Sequence, residues 1–263
     1  MPRRGVKRHP DWLEPDWGVP GVGALMSTRA VSTRAGGASA APFDSLNLRE
    51  GLGDDAGAVA CNQAVWASSI GAVPIVLKQV HGKRVVRLAG DASQLATRGF
   101  VADASVTTQR GLACSVQVAD CLPVLFAACA GQGVAAAHAG WRGLAAGVLE
   151  ATLEALCDAA QCGPSEVACW LGPCIGPHCF EVGPDVLRAF SVGPADDAAT
   201  GFKFKGQGKW LADLPSLARQ RLSAAGVRKL HGGDWCTYSQ PQRFFSYRRD
   251  GTTGRMAAAV WLT

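Results

Sequence analysis

The chain has 263 residues, of which 48% are apolar and 18% charged, so it can bury a sizeable core. This composition excludes collagen, coiled-coil and disordered classes. The formal charge is +5, but the first ten residues supply four of those charges and contain no acid, which leaves about +1 for the remainder, too little to recruit a nucleic acid by charge.

The start of the chain carries no recognisable export or membrane signal. Charged residues and prolines interrupt residues 1–20, so no secretory signal peptide is recognised. No apolar run reaches the roughly 20 residues that a membrane span requires. We therefore expect a cytoplasmic protein without nucleic-acid or membrane partners.

The ten cysteines are expected to be reduced, because the chain lacks an export signal and is long enough to hold a core. Most of them lie in segments rich in alanine, valine and leucine, where a thiol behaves as a small apolar side chain. Cys121 differs, since it lies in an Ala-Asp-Cys-Leu-Pro turn.

The domain prediction is a basic, proline-rich N-terminal extension over residues 1–20 and a single domain over 21–263. Hydrophobic periodicity predicts strands and helices in the following order. A strand at 22–28, a long Gly/Ser-rich loop and a helix at 55–70 come first, then strands at 74–80, 85–88, 101–108, 112–118, 122–128 and 133–138. A helix at 143–160, a strand at 167–171, helices at 184–190 and 211–225, and strands at 227–230 and 256–262 follow; 243–249 is predicted as a half-buried strand with charged edges.

The close spacing of the central strands predicts an α+β fold with antiparallel or mixed sheets, because it leaves no room for crossover helices. Two of the five histidines, His81 and His138, stand at strand-to-turn junctions, and Cys121 lies in a turn between two strands. If these strand ends meet at one rim, two imidazoles and one thiolate converge. Three such ligands would leave the fourth tetrahedral position of a zinc ion open, as in catalytic sites. Structural roles for all three side chains remain open.

The same side chains allow a second chemistry, in which Cys121 is a nucleophile and His138 its base, with Asp120 or Asp103 orienting the imidazole. A thiolate that binds zinc is largely unavailable for attack on carbon, so the two hypotheses exclude each other. Arg142 follows His138 at the start of the predicted helix, where N–H groups favour a phosphate or carboxylate.

Several segments together resemble the YfiH/YlmD family, which is also called the laccase-domain or polyphenol oxidase family, the peptidoglycan editing factor (PgeF) family and the purine nucleoside phosphorylase family related to human FAMIN. The most specific are Ala-Asp-Cys-Leu-Pro-Val-Leu at 119–125 and His-Ala-Gly-Trp-Arg-Gly at 138–143. Others are Ser-Thr-Arg-Ala-Gly-Gly at 32–37, Ser-Leu-Asn-Leu at 45–48, Gln-Val-His-Gly at 79–82, Ala-Asp-Ala at 102–104, Leu-Gly-Pro-Cys-Ile-Gly-Pro at 171–177, Phe-Glu-Val-Gly at 180–183 and the run from Phe244 to Ala257.

The resemblance implies a single four-layer α/β/β/α domain of the YfiH-like type and a zinc ion held by His81, Cys121 and His138. It implies phosphorolysis of adenosine, inosine and S-methyl-5′-thioadenosine, with an adenosine deaminase activity, which are transferase and hydrolase reactions. The bacterial branch is also similar to a peptidoglycan editing amidase that removes L-Ser from UDP-MurNAc-L-Ser. Cys174 departs from the alanine or serine usual at its position, which puts a role of its loop in substrate choice in doubt.

The predicted site assigns catalytic roles to the three ligands and to Asp103 and Asp120. The candidate substrate-binding residues are Arg34, Asn47 and Arg142, with Arg34 and Arg142 binding phosphate. The expected partners are a small nucleoside and phosphate, or the muropeptide precursor. A copper polyphenol oxidase is the lesser alternative, because His₂Cys also binds copper, whereas a multicopper oxidase needs more histidines than the three that remain.

Overall fold

The structure is a computed structural model that describes residues 9, 11–29, 37–193 and 201–263. Its first half contains β1 (Val22–Met26), α1 (Ala56–Ser68), β2 (Val73–Ile75), β3 (Val85–Arg87), α2 (Ala92–Thr97), β4 (Ala104–Thr107), β5 (Leu112–Val118) and β6 (Leu122–Ala128). Next come β7 (Val134–Ala139), α3 (Trp141–Ala146), α4 (Val148–Ala160), a 3-10 turn (Pro164–Glu166), β8 (Val167–Leu171), β9 (Glu181–Val182) and α5 (Pro184–Ala189). The last are β10 (Phe202–Gly206), β11 (Lys209–Ala212), α6 (Leu214–Ala224), β12 (Lys229–Gly232), α7 (Tyr247–Asp250) and β13 (Met256–Leu262).

Two sheets of mixed direction form the centre of the molecule. The larger has the order β12-β8-β6-β7-β4-β3, and the smaller has the order β1-β13-β5-β2. In the larger sheet β4, β7, β6 and β8 are antiparallel neighbours, while β3 and β12 join the two edges in parallel. The predicted α+β fold with mixed sheets is therefore confirmed.

Three hydrophobic clusters stack the elements in four layers. One cluster fills the space between the sheets and includes Val116 from the smaller sheet and Leu125 from the larger. A second lies under the helices α3, α4, α5 and α6, which cover the outer face of the larger sheet. The third joins α1 to the outer face of the smaller sheet through Trp66 and Trp261. The order helix, sheet, sheet, helix gives the predicted α/β/β/α layering.

Residues 11–20 pack against this core. Trp12 and Trp17 are buried, the Trp12 ring lies 5.2 Å from that of Trp66, and Leu13 forms a β-bridge with Met26. The second half of the predicted N-terminal extension therefore supplies core side chains. The boundary at residue 20 stays a prediction.

Several predicted elements are corrected by the structure. The helix expected over 143–160 is two helices, because Gly147 has a left-handed φ of +94° that ends α3 and begins α4. The strand expected over 74–80 is regular only in β2, and 243–249 forms turns and α7 instead of a strand. Ser246 is the N-cap residue of α7, and its side chain stabilises this helix by accepting a hydrogen bond from the Arg249 N–H. The helix α2 and the small sheet β10-β11-β9 were not predicted.

Among the described residues no helix has the length and apolar character of a membrane span.

Candidate metal centre

The ends of neighbouring strands bring the predicted ligands to one rim of the larger sheet. Cys121 directly precedes β6, and His138 lies near the end of β7, where it pairs with Pro123 in the antiparallel ladder. His81 lies in the turn that leads to β3, and β3 pairs with β4. Because β4 also pairs with β7, the ends of four adjacent strands meet at this rim.

The ligand atoms of His81, Cys121 and His138 all lie within 4.8 Å of one another. The Cys121 Sγ is 3.7 Å from His81 Nε2, and the two imidazole rings are edge to face with centroids 4.8 Å apart. His81 is exposed, Cys121 is half-buried and His138 is buried, so the cluster is open on one side only. The structure thus brings together three residues that could hold a metal ion.

The carboxylate of Asp103 organises two of these ligands. Its Oδ1 accepts a hydrogen bond from His138 Nδ1 at 2.8 Å. Oδ1 also accepts the backbone N–H groups of Val80 at 3.2 Å and His81 at 2.9 Å, and Oδ2 accepts that of Gly82 at 2.7 Å. These bonds stabilise the turn in which His81 has a left-handed φ of +60°, which is uncommon for a residue with a Cβ. Asp103 is fully buried and acts through the turn and through His138.

The electrostatics of the cluster favour a charged thiolate next to a charged imidazole. Burial opposes the thiolate, but the His138 charge and hydrogen bonds from both histidines outweigh it and lower the pKa of Cys121 to about 6. Burial also opposes the imidazolium, but the charge of Cys121 and the Asp103 hydrogen bond raise the pKa of His138 to about 9. Burial likewise opposes the Asp103 carboxylate, yet hydrogen bonds from His138 and Gly82 lower its pKa.

The donor set fits a metal ion. Because Nδ1 of His138 is bonded to Asp103, its Nε2 is the nitrogen left for a metal, which is the usual carboxylate–histidine–metal arrangement. Tetrahedral zinc–ligand bonds separate ligand atoms by roughly 3.3–3.8 Å, so a cluster within 4.8 Å needs only a small approach. A Cβ at Gly140 would lie 2.8 Å from His81 Cδ2 and 2.9 Å from Cys121 Sγ, so a glycine leaves this space open.

Asp120 supports the other side of Cys121. Its two carboxylate oxygens accept hydrogen bonds at 2.6 Å from the Thr237 hydroxyl and from the Arg248 N–H. Its carbonyl accepts the Ile175 N–H at 2.9 Å. Asp120 thereby fixes two loops around the metal centre, and it has a left-handed φ of +86°. Its predicted catalytic role stays a prediction.

The predicted substrate-binding residues are not gathered as closely. Asn47 is buried, and its side chain is bonded to Arg49, Asp54 and the Arg255 N–H. Arg142 is exposed, with its guanidinium 4.3 Å from the centroid of the Trp141 ring. Arg34 lies outside the described residues. Substrate contacts of these three side chains stay predictions.

Two arginines near the site were missed in the sequence. Arg49 and Arg255 are half-buried, and the Arg255 guanidinium interacts electrostatically with Cys121. Both stand beside segments that carry the family resemblance, Arg49 directly after 45–48 and Arg255 within the run from Phe244 to Ala257. Their position beside these segments could have identified both arginines as candidate site residues. Cys174, whose role was in doubt, is buried beside Cys236, with which it forms a β-bridge.

Comparisons with known proteins cover nearly the whole chain. The family model described as "Multi-copper polyphenol oxidoreductase laccase" matches residues 28–263. The chain is 48% identical to "Purine nucleoside phosphorylase YfiH" of Escherichia coli over 256 residues, which cover 95% of this chain and 98% of that protein. It is 47% identical to a purine nucleoside phosphorylase of Pseudomonas aeruginosa over 251 residues, again 95% and 98% of the two chains.

Solved structures show the same fold. The crystal structure of protein NMB0706 of Neisseria meningitidis has a TM-score of 0.86 and 45% sequence identity, covering 96% of this chain and 99% of that one. The crystal structure of YlmD from Geobacillus stearothermophilus has a TM-score of 0.81 and 31% identity, covering 92% of each chain.

Proposed function

Because the chain belongs to the YfiH/YlmD family of laccase-domain proteins, we propose that it is a zinc-dependent purine nucleoside phosphorylase acting on adenosine, inosine and S-methyl-5′-thioadenosine. The observation that carries the proposal is the full-length similarity to two proteins named purine nucleoside phosphorylase. The His81–Cys121–His138 cluster supports it, since it offers a metal ion three ligands and an open side.

In phosphorolysis a phosphate oxygen forms a bond to C1′ of the ribose while the C1′–N9 bond breaks. The purine leaves with the electron pair, so the products are ribose 1-phosphate and the free base. Zinc held by His81, Cys121 and His138 would supply a Lewis acid beside the substrate. Asp103 would act as a positioning residue, because it fixes the His138 ring and the His81 turn before substrate arrives.

The phosphate must be held by cations that face the rim. Arg142 and Arg34 are the arginines that the sequence assigns to this task. An adenosine deaminase activity is proposed for the same centre, because a Lewis acid also assists hydrolytic loss of the amino group. There, Asp103 or Asp120 is the candidate for proton transfer, since Asp103 is bonded to His138 and Asp120 directly precedes Cys121.

The Cys/His hydrolase is a second candidate, favoured by one specific observation. Cys121 and His138 form a thiolate–imidazolium pair, and Asp103 holds the imidazole at 2.8 Å as the third member of a triad does. This chemistry suits the removal of L-Ser from UDP-MurNAc-L-Ser: the sulfur would attack the amide carbonyl and the amine would leave with a proton from His138. Water would then hydrolyse the thioester, which gives the free carboxylate and restores the thiolate. This chemistry requires a metal-free thiolate.

A copper polyphenol oxidase has less support. The chain has five histidines, all within the described residues, and only His81 and His138 belong to a cluster that could hold a metal. A multicopper oxidase needs several further imidazoles for its additional copper ions. Ligand chemistry therefore favours zinc with three protein ligands.

The test uses purified full-length protein with its metal content quantified. Inosine with phosphate, adenosine without phosphate, and UDP-MurNAc-L-Ser are incubated separately, and products are identified by mass spectrometry. We expect hypoxanthine and ribose 1-phosphate in the first arm, dependent on both phosphate and zinc. Release of L-Ser that persists after chelation, without phosphorolysis in the zinc-loaded protein, would overturn the proposal in favour of the Cys/His hydrolase.

A further inference from the structure

A buried amide holds two arginines side by side near the metal centre. The Asn47 Oδ1 accepts the backbone N–H of Arg49 at 3.1 Å and that of Arg255 at 2.9 Å. Its Nδ2 donates to the Arg49 carbonyl at 3.0 Å and to Asp54 Oδ2 at 2.9 Å. The side chain of Asn47 is therefore fully engaged, and it fixes the start of β13 against the loop that follows β1.

The Arg255 guanidinium is anchored but not neutralised. Its Nη1 donates to the carbonyls of Thr253 at 2.8 Å and Gly254 at 3.0 Å, and its Cζ lies 5.7 Å from the centroid of the Tyr247 ring. No hydrogen bond in the described part of the chain uses its Nε or Nη2. These two groups form the fork with which arginine binds carboxylate and phosphate oxygens.

Both arginines lack a counter-ion within the described residues. In that part of the chain no carboxylate lies within ion-pair distance of Arg49 or Arg255, although other arginines of the protein have such partners. Burial, followed by the charge of Arg49, lowers the pKa of Arg255, which shows that the two cations destabilise each other. Half-buried like charges without a partner are costly, and an anion between them would remove that cost.

The position of the pair points to the reaction site. The Arg255 guanidinium lies against the Tyr247 ring, and the next residue, Arg248, donates its N–H to Asp120, which directly precedes Cys121 in the chain. Arg49 also lines a cavity of about 510 Å³ on the α1 side of the smaller sheet, together with Glu50, Trp66 and Lys78.

We propose that Arg255 and Arg49 form the binding site for a phosphate-type oxyanion beside the His81–Cys121–His138 cluster. This inference rests on the proposed function, in which inorganic phosphate is a substrate, and gives that substrate a place other than the predicted Arg142. Arg142 is a weaker candidate. Its guanidinium is exposed and stacks on Trp141, so water solvates its charge and no anion is needed to stabilise it. Asn47 becomes a positioning residue for the two arginines.

The first measurement is binding and does not depend on turnover. Inorganic phosphate is titrated calorimetrically into the full-length, metal-quantified protein at constant ionic strength. We expect Arg255→Gln and Arg49→Gln each to raise the Kd for phosphate about tenfold or more, since each removes a charge-assisted contact. Arg228→Gln, an exposed arginine without a partner in the described residues, is the matched control and should leave the Kd unchanged.

Two arms separate the possible sources of the phosphate group. Adenosine 5′-monophosphate is titrated into the same variants, because it carries a phosphate group on an organic molecule. Binding of inorganic phosphate alone supports the substrate site, and preferential binding of the monoester, equally sensitive to Arg255→Gln, supports an oxyanion site for a nucleotide. Arg255→Lys keeps the charge but loses the fork, so we expect it to restore only part of the affinity.

The result that overturns the inference is equally direct. If phosphate affinity is unchanged in Arg255→Gln and Arg49→Gln but is lost in Arg142→Gln, phosphate binds at Arg142 at the start of α3 and the inference is wrong. Folding of each variant is checked by its thermal transition, and Arg49→Gln keeps the test valid if Arg255→Gln unfolds. If wild-type protein binds phosphate through Arg255 but does not cleave inosine, the oxyanion site stands and the proposed phosphorylase activity fails. Phosphorolysis with an unchanged KM for phosphate in both variants would refute the oxyanion site and leave the phosphorylase activity standing.

Discussion

Asp103 and His138 are joined by a 2.8 Å hydrogen bond between Oδ1 and Nδ1, both almost completely removed from solvent. The same carboxylate accepts N–H groups from the turn that carries His81. One buried side chain therefore sets the orientation of one candidate ligand and the backbone of another.

The first prediction concerns this carboxylate. In Asp103→Asn, one oxygen is replaced by an NH₂ group that faces N–H donors, so buried donors lose their acceptor. We expect a loss of about 3–5 kcal/mol in unfolding free energy and a 10- to 100-fold loss of metal affinity. Urea unfolding and metal titration measure the two effects, with Asp234→Asn, at an exposed aspartate, as control. Unchanged metal affinity would show that Asp103 does not position His138.

The second prediction uses the space at Gly140. The Cβ of Gly140→Ala would meet the His81 ring and Cys121 Sγ at less than 3 Å, and such overpacking costs about 1–3 kcal/mol. We expect metal affinity and activity to fall about tenfold or more while the fold is kept. Gly163→Ala is the matched control, because its Cβ would make only an ordinary contact at 3.5 Å. Equal metal binding by both variants would place the metal away from this cluster.

The third prediction is a pH dependence of the metal-free protein. The Cys121 pKa of about 6 predicts that thiolate absorbance at 240 nm titrates near pH 6 and is missing in Cys121→Ser. The substitution His138→Asn should move the titration to higher pH because the neighbouring cation is gone. A titration near the ordinary thiol value of 9.0 in wild-type protein would contradict the thiolate–imidazolium pair.

Both shifts stabilise the folded protein, and their contributions change with pH in opposite directions. The lowered pKa of Cys121 contributes stability that is complete above about pH 9 and is lost as the pH falls through about 6. The raised pKa of His138 contributes stability that is complete below pH 6.5 and is lost as the pH rises through about 9. Between pH 6.5 and 9 both contributions stabilise the folded state and their pH dependences nearly cancel, so urea unfolding of metal-free protein should show little dependence on pH from this pair.

The fourth prediction concerns a thiol outside the metal centre. The half-buried Cys236 Sγ accepts N–H groups from Gly176 at 3.2 Å and Ser239 at 3.4 Å. Although burial opposes its thiolate, these and other hydrogen bonds lower the pKa of Cys236, whereas burial raises the pKa values of Cys157 and Cys179. At pH 7, iodoacetamide should therefore alkylate Cys236 before the other two. Peptide mapping by mass spectrometry gives the order, and a reversed order would contradict the assignment.

Much of this architecture was predictable because local patterns and tertiary structure agree. The strands at 112–118, 122–128 and 167–171 are continuous apolar runs, buried on both faces, and the structure has them at those bounds. The split at Gly147 was missed because the apolar periodicity runs across it, while the change of direction depends on one left-handed residue. The strand β10 was missed because most of its residues are exposed, and β11 because it has only four residues, the last two of which fell within the helix predicted over 211–225.

The three candidate ligands were predictable for a different reason. His81 and Cys121 lie in turns that lead to strands, His138 lies near the end of one, and the ends of adjacent strands meet at one rim. Arg49 and Arg255 could not be paired from the sequence, because the side chain of Asn47 connects them and 208 positions separate Asn47 from Arg255. A contact that depends on a single buried amide leaves no periodic signal.

The fifth prediction tests whether residues 11–20 belong to the folding unit. Trp12 is buried in the cluster that joins α1 to the smaller sheet, and its ring contacts that of Trp66 at 5.2 Å. Trp12→Ala would leave a cavity there, for which a loss of about 3–5 kcal/mol in unfolding free energy is expected. Val73→Ala, at an exposed valine of β2, is the control and should change stability by less than about 1 kcal/mol.

Because the cluster packs on the opposite side of the smaller sheet from the metal centre, metal affinity of folded Trp12→Ala should equal that of the wild type. If urea unfolding of Trp12→Ala matched that of Val73→Ala, Trp12 would contribute nothing to the folding unit, and the boundary predicted at residue 20 would stand.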